Sequence, residues 1–167
     1  SFQVQLGSFS ASGDAEIDLG IPQNPRLSIN ASAPHMPLYT FKALFPGSLL
    51  PAWLESELFA LFSEGQVALD RFGLQGRLEE IENLDQARNA HCLSLRLTVK
   101  DLTAFKGGSI LPFTGVGGHL NIQDGVLEVT DIRAGFGESQ LEDGTFRVGS
   151  LYAESPEYAA GIQGNFR

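Results

Sequence analysis

One cysteine, Cys92, stands in 167 residues, so the chain closes no disulfide of its own. Basic residues are few: 11 Lys and Arg face 20 Asp and Glu, giving a net charge of −9. A nucleic-acid partner needs clustered cations and is excluded, as is an electrostatic grip on anionic lipid headgroups. The sequence holds one Trp and three Tyr. A carbohydrate-binding β-sandwich would want exposed Trp and Tyr platforms, and the one Trp falls within a predicted helix. No apolar run reaches the roughly 18 residues that cross a bilayer as a helix. GxSxG, HExxH, CxxC, P-loop and GxGxxG patterns are all missing. Gly115-Val116-Gly117-Gly118 is glycine-rich but leads into a strand rather than a helix N-terminus, which does not cradle phosphate. His35, His91 and His119 are far apart in sequence, and none shows a second ligand nearby. A three-His site assembled by folding is the one metal arrangement left open; no cofactor, metal or enzymatic activity is expected. Cys92 sits among alternating apolar residues and reads as a small buried hydrophobe.

Glycine, by contrast, is abundant at 19, and 43% of residues are hydrophobic, enough for a sizeable core. The dominant signal is a two-residue period. It is cleanest at Leu93, Leu95, Leu97 and Val99, and returns at Val116, Gly118, Leu120 and Ile122. Asp124-Gly125 then predicts a tight hairpin, after which Leu127 and Val129 resume the alternation. There the apolar phase slips by one residue to Ile132, Ala134 and Phe136. Such a slip would turn every later side chain over unless a β-bulge near Thr130-Asp131 absorbs it. A similar slip at Asp70-Arg71 separates Val67 and Leu69 from Phe72 and Leu74, a weak internal repeat. Gly135 and Gly137 mark a further reversal, and Asp143-Gly144 is either a second hairpin or an irregularity within a strand. Leu93, Leu95, Leu97 and Val99 are expected to share a face with Leu120, Ile122, Leu127 and Val129. Earlier strands are expected over Phe2–Leu6, Phe9–Leu19 and Arg26–Ala33, and a last one over Tyr158–Phe166. Asn30-Ala31-Ser32 matches a glycosylation sequon but lies mid-strand and is set aside.

One helix is predicted, Ser48–Phe62. Ser48 is its N-cap, Pro51 lies in the first turn, Leu50, Leu54, Leu58 and Leu61 recur at helical spacing, and Gly65 closes it. Glu55, Glu57 and Glu64 occupy its polar side where a membrane-surface helix would carry Lys and Arg, so packing on the sheet is favoured. Glu79–Asn89 reads as an acidic loop with a helical turn. The expected fold is mainly β: a single-domain, curved antiparallel sheet forming a groove, with one packed α-helix.

The segment ALFPGSLLPAWLESELFALFSEGQVALDRFGLQGRL, followed by GVGGHLNIQDGVLEVTDIRAGFGESQLEDGTFRVG, resembles the AsmA-like superfamily, in particular its long YhdP- and TamB-type members. Leu50-Pro51, Trp53-Leu54 and Gly65 match its Leu-Pro, short Trp-Leu helix and Gly-led strand. Gly118 to Gly137 matches its strand, Asp-Gly hairpin and strand ending near paired glycines, with Phe136 separating Gly135 from Gly137. The likeness covers Ala43 to Arg167. It implies a piece of a longer periplasmic protein of a Gram-negative envelope, tethered to the inner membrane by parts outside this fragment. It further implies a sheet whose apolar groove conducts phospholipid tails toward the outer membrane. Leu93, Leu95, Leu97, Val99, Leu120, Ile122, Leu127, Val129, Ile132 and Phe136 are then the groove candidates, with lipid acyl chains as the partner. The second expectation is a non-enzymatic binding or assembly module of the envelope, such as a secretion-system component, with a closed core.

Overall fold

The computed structural model describes residues 1–6, 9–20, 23–105 and 112–165. Nine strands form one antiparallel sheet whose spatial order is their sequence order. They are β1 (Phe2–Leu6), β2 (Phe9–Asp18), β3 (Arg26–Pro37), β4 (Phe62–Arg77), β5 (Leu93–Ala104), β6 (Phe113–Gln123), β7 (Val126–Phe136), β8 (Ser139–Gly149) and β9 (Glu157–Asn165). The sheet does not close: β1 and β9 are its two edges.

The hairpin between β6 and β7 turns on Asp124 and Gly125, whose φ values of 51° and 73° are those of a tight I′ turn. The two phase slips are register shifts. One falls between Leu69 and Arg71 where β4 pairs with β5. The other falls between Val129 and Ile132 on β7, with Asp131 at φ 53°. Asp101 on β5, at φ 54°, sits in a third shift, and Asp143-Gly144 resolves as an irregularity inside β8. These bulges lie on neighbouring strands and bend the sheet along a line across it. Ile132 pairs with Gly144, which has the same parity as Phe146 and Val148, so the apolar side chains stay on one face across the bulge. The expected last strand is β9; Phe166 lies outside the described residues, as do the expected breaks at Gly7-Ser8 and Lys106-Gly108.

The predicted helix over Ser48–Phe62 forms only in part: Leu50 is extended, helical backbone runs over residues 52–61, and most of that run has π or 3-10 rather than α hydrogen bonding. Its place in the chain, between β3 and β4, holds a broken strap. An α-helix, α1, spans Leu38–Leu44, a single 3-10 turn spans Gly47–Leu49, a π-helical turn spans Leu54–Leu58 and another 3-10 turn spans Phe59–Leu61. Pro37 stands at the N-cap of α1, where its missing N–H costs nothing. Gly65 is not a helix terminator either. It lies inside β4 at φ 112°, beside a register shift against β5. The acidic connection from β4 to β5 holds a second short helix, α2 (Leu78–Glu82), and a 3-10 segment over Ala87–Cys92. Among the described residues no helix is long and apolar enough to cross a membrane.

The strap is tied down across the apolar face of the sheet. On one side Phe45 meets Phe72 of β4 edge to face. On the other, Trp53 Nε1–H donates to Leu151 O at 3.3 Å, its ring lies 6.4 Å from that of Tyr158, and Tyr152 Oη donates to Leu49 O at 3.1 Å. Burial pushes the Tyr152 phenol up to about 12 from its usual 10. A raised folded-state value means that the unfolded chain ionises first. The Tyr152 contribution to stability is therefore complete below pH 10 and is lost as pH rises toward 12. Urea midpoints measured across that range should fall, and Tyr152→Phe should flatten the decline.

Candidate functional site: the apolar face

Paired strands stack the apolar residues into two rows that cross the sheet. Phe72, Leu95, Ile122, Leu127, Val148 and Tyr158 are directly opposite one another in turn, from β4 to β9. Leu69, Leu97, Leu120, Val129 and Phe146 form the next row. The expected sharing of a face by the β5, β6 and β7 alternations follows from this pairing.

The strap divides the ten candidate residues. Leu93, Leu95, Leu97, Leu120, Ile122 and Leu127 are enclosed, with exposures from 0 to 6%. Leu50 and Leu54 of the strap join them in one cluster, with Val99 and Val129 packed at its margin. These side chains meet protein, leaving no room beside them for a second molecule. Ile132 and Phe136 lie past the bulge of β7, toward the end of the sheet that the strap leaves uncovered. Phe136 stacks on Phe113 of β6 with centroids 4.9 Å apart, and both rings remain more than a third exposed. Ile162 of β9, opposite Gly144, is 66% exposed. A shallow hollow of about 580 Å³ lies at the same end, with Ala134 and Leu141 beside Arg133, Gln140 and Glu142 among its walls. At the opposite flank Ile17, opposite Leu27, is also exposed. The apolar face thus extends beyond the area that the chain itself covers.

The polar face carries one arrangement that resembles a catalytic set. Thr98 Oγ1 lies 2.6 Å from Asp70 Oδ2 and 3.0 Å from His119 Nδ1. A carboxylate cannot donate, so the hydroxyl proton goes to Asp70 and the His119 N–H donates to Thr98. That order is the reverse of nucleophile and base, because the imidazole does not take the hydroxyl proton. His35 lines a polar hollow of about 530 Å³ together with His119, Lys100 and Arg133, whereas His91 sits elsewhere, in the β4–β5 connection. Folding does not bring the three histidines together.

His91 instead has ligand-type neighbours that the sequence reading denied it. Among the described residues, Glu80, His91 and Cys92 offer one ligand atom each, all within 4.8 Å of one another. The adjacency of His91 and Cys92 was visible in the sequence; that Glu80 of α2 folds back to them was not. Burial, and after it the Glu80 carboxylate, pushes the Cys92 thiol up, with Arg26 acting in the opposite sense.

No family model, no curated protein and no solved structure matches this chain.

Proposed function

We propose that the uncovered part of the apolar face shelters lipid acyl chains, and that this chain is a segment of a periplasmic envelope protein that helps phospholipid pass between the inner and outer membranes. The observation that carries the reading is the continuation of the apolar face past the strap, through Ile132, Phe136, Phe113 and Ile162. Each methylene that leaves water for such a surface gains about 0.8 kcal/mol. The net charge of −9 keeps anionic headgroups off the protein and in water, so that only tails are held. Carriage of this kind needs no catalytic group. In the full protein, contact with the inner membrane is made by parts outside this segment.

A photoactivatable fatty acid, incubated with the protein, should label the Phe113–Phe136 end of the sheet. Phe136→Asp should cut that labelling severalfold while lowering stability by no more than about 1 kcal/mol, because the ring is already partly in water. Labelling unaffected by Phe136→Asp would overturn the assignment of the site. Absence of any labelling would favour the second reading, a non-enzymatic assembly module of the envelope. That reading draws on the strap, which fills the centre of the face as an ordinary core would.

A further inference from the structure

The connection from β4 to β5 gathers a thiol, an imidazole and a carboxylate that the acyl-chain reading leaves unused. His91 Nδ1 lies 2.9 Å from Arg88 O. A carbonyl oxygen only accepts, so Nδ1 carries the hydrogen and, in the neutral ring, Nε2 keeps its lone pair. That lone pair faces Cys92 Sγ at 3.7 Å. A ring nitrogen tethered to a backbone carbonyl, with the other left free, is the usual way a metal-binding histidine is held in its tautomer. Glu80 Oε2 accepts the Arg77 backbone N–H at 2.7 Å, which fixes the carboxylate over the same spot. Gly76 supplies the clearance: a Cβ there would come 2.6 Å from Cys92 Sγ and 3.3 Å from Glu80 Oε2.

We propose that Glu80, His91 and Cys92 bind a divalent cation of borderline softness, Zn²⁺ foremost, at the end of the sheet where α2 and the 3-10 segment over Ala87–Cys92 meet. With bonds of about 2.3 Å to sulfur and about 2.0 Å to nitrogen, a tetrahedral ion separates those two ligands by about 3.5 Å. The 3.7 Å between Cys92 Sγ and His91 Nε2 is close to that span, and the Glu80 carboxylate, within 4.8 Å of both, needs only a small side-chain movement to complete three ligands. A thiolate and a carboxylate balance a 2+ charge, which suits a site whose cysteine is buried. The ion takes Cys92 as its thiolate, so binding releases the thiol proton to solvent. Glu80 and His91 also line a polar hollow of about 750 Å³, with Glu79, Asn83, Arg77 and Arg88 among its other walls, which gives the ion and a completing water a way in. An ion here would join α2 to the 3-10 segment before β5, two short elements that no disulfide secures. The inference is independent of what the apolar face binds.

Titration of the reduced protein with Co²⁺ alone tests it. One equivalent should bind and produce a thiolate-to-cobalt charge-transfer band with the visible bands of a tetrahedral centre, and Zn²⁺ should displace it. His91→Gln and Glu80→Gln should each weaken Co²⁺ binding at least about tenfold, in the range seen even for groups that only support a ligand. His91 is exposed, and a glutamine at 80 still accepts the Arg77 N–H, so both variants should keep the native far-ultraviolet circular dichroism. Cys92→Ser should remove the charge-transfer band. No band in the unaltered protein, or a band of unchanged affinity in both His91→Gln and Glu80→Gln, would overturn the proposal.

Discussion

Leu120→Asp is expected to lower the free energy of unfolding by about 3 kcal/mol or more. Leu120 is 6% exposed and stands between Leu97 of β5 and Val129 of β7 under the strap. A carboxylate there finds no cation and no route to water, so it must either stay protonated or open the core. Had this part of the sheet been an open trough, the same change would have placed the charge in solvent at little cost. Urea denaturation of Leu120→Asp beside Phe136→Asp makes the comparison within one protein. The first should lose most of its stability and the second little. Equal, small losses in both would mean that the strap does not seal the centre of the face.

Gly65→Ala should be comparably damaging, by a different route. Gly65 is at φ 112°, a backbone conformation closed to L side chains without strain of about 1–3 kcal/mol. A Cβ would also stand 2.7 Å from Asp101 O and 2.7 Å from Leu102 Cα, both backbone atoms of the paired strand. Those atoms cannot swing aside as a side-chain end would, so β4 and β5 must separate locally. We expect a total cost of about 3 kcal/mol or more. Gly149→Ala is the matched control, since a Cβ there meets nothing nearer than 3.7 Å. A Gly65→Ala midpoint indistinguishable from that of Gly149→Ala would show that β4 does not need its bulge.

These two positions also show what the sequence could and could not disclose. Leu120 announces its face by alternating with His119 and Asn121, and that local pattern survives folding because a strand's period is set by its own backbone. Asp131 announces its bulge in the same way, since the apolar phase slips and only an extra residue can restore it. Gly65 misled for a physical reason. A glycine after a run of leucines is a helix terminator in one setting and a bulge in another, and the deciding partner, Leu102, lies 37 positions away. The leucines before it misled in part. Leu50 and Leu54 are buried as expected. Leu54 lies in the helical run over residues 52–61, as its spacing implied, while Leu50 is reached by an extended residue after a separate 3-10 turn. Helical propensity is a weak influence when short turns can place the same side chains on the same core. Whether the face is covered was beyond the sequence altogether, since the pattern that makes a sheet apolar on one side does not say what lies against it. The triad of Glu80, His91 and Cys92 falls between these cases: two of its members are neighbours in the chain, and the third lies in the expected helical turn, whose docking beside His91 the sequence did not disclose.

The strictly sequential strand order has a consequence for how such a chain can change in length. Every strand touches only the strands before and after it, so the sheet behaves as a one-dimensional stack of hairpins, with energetics that are sums over nearest neighbours. Strand pairing joins neighbours in sequence, while the strap alone adds hydrogen bonds across 98 and 103 positions, from Trp53 to Leu151 and from Tyr152 to Leu49. A hairpin gained at either flank, or lost at the β1 flank, would alter one interface and leave β4, β5 and the strap as they are, whereas loss of the β8–β9 hairpin would take away the strap's anchors at Leu151, Tyr152 and Tyr158. The architecture is therefore a ruler that can be lengthened: duplication of a hairpin extends the apolar strip by two strand spacings, about 10 Å, without any redesign of the centre.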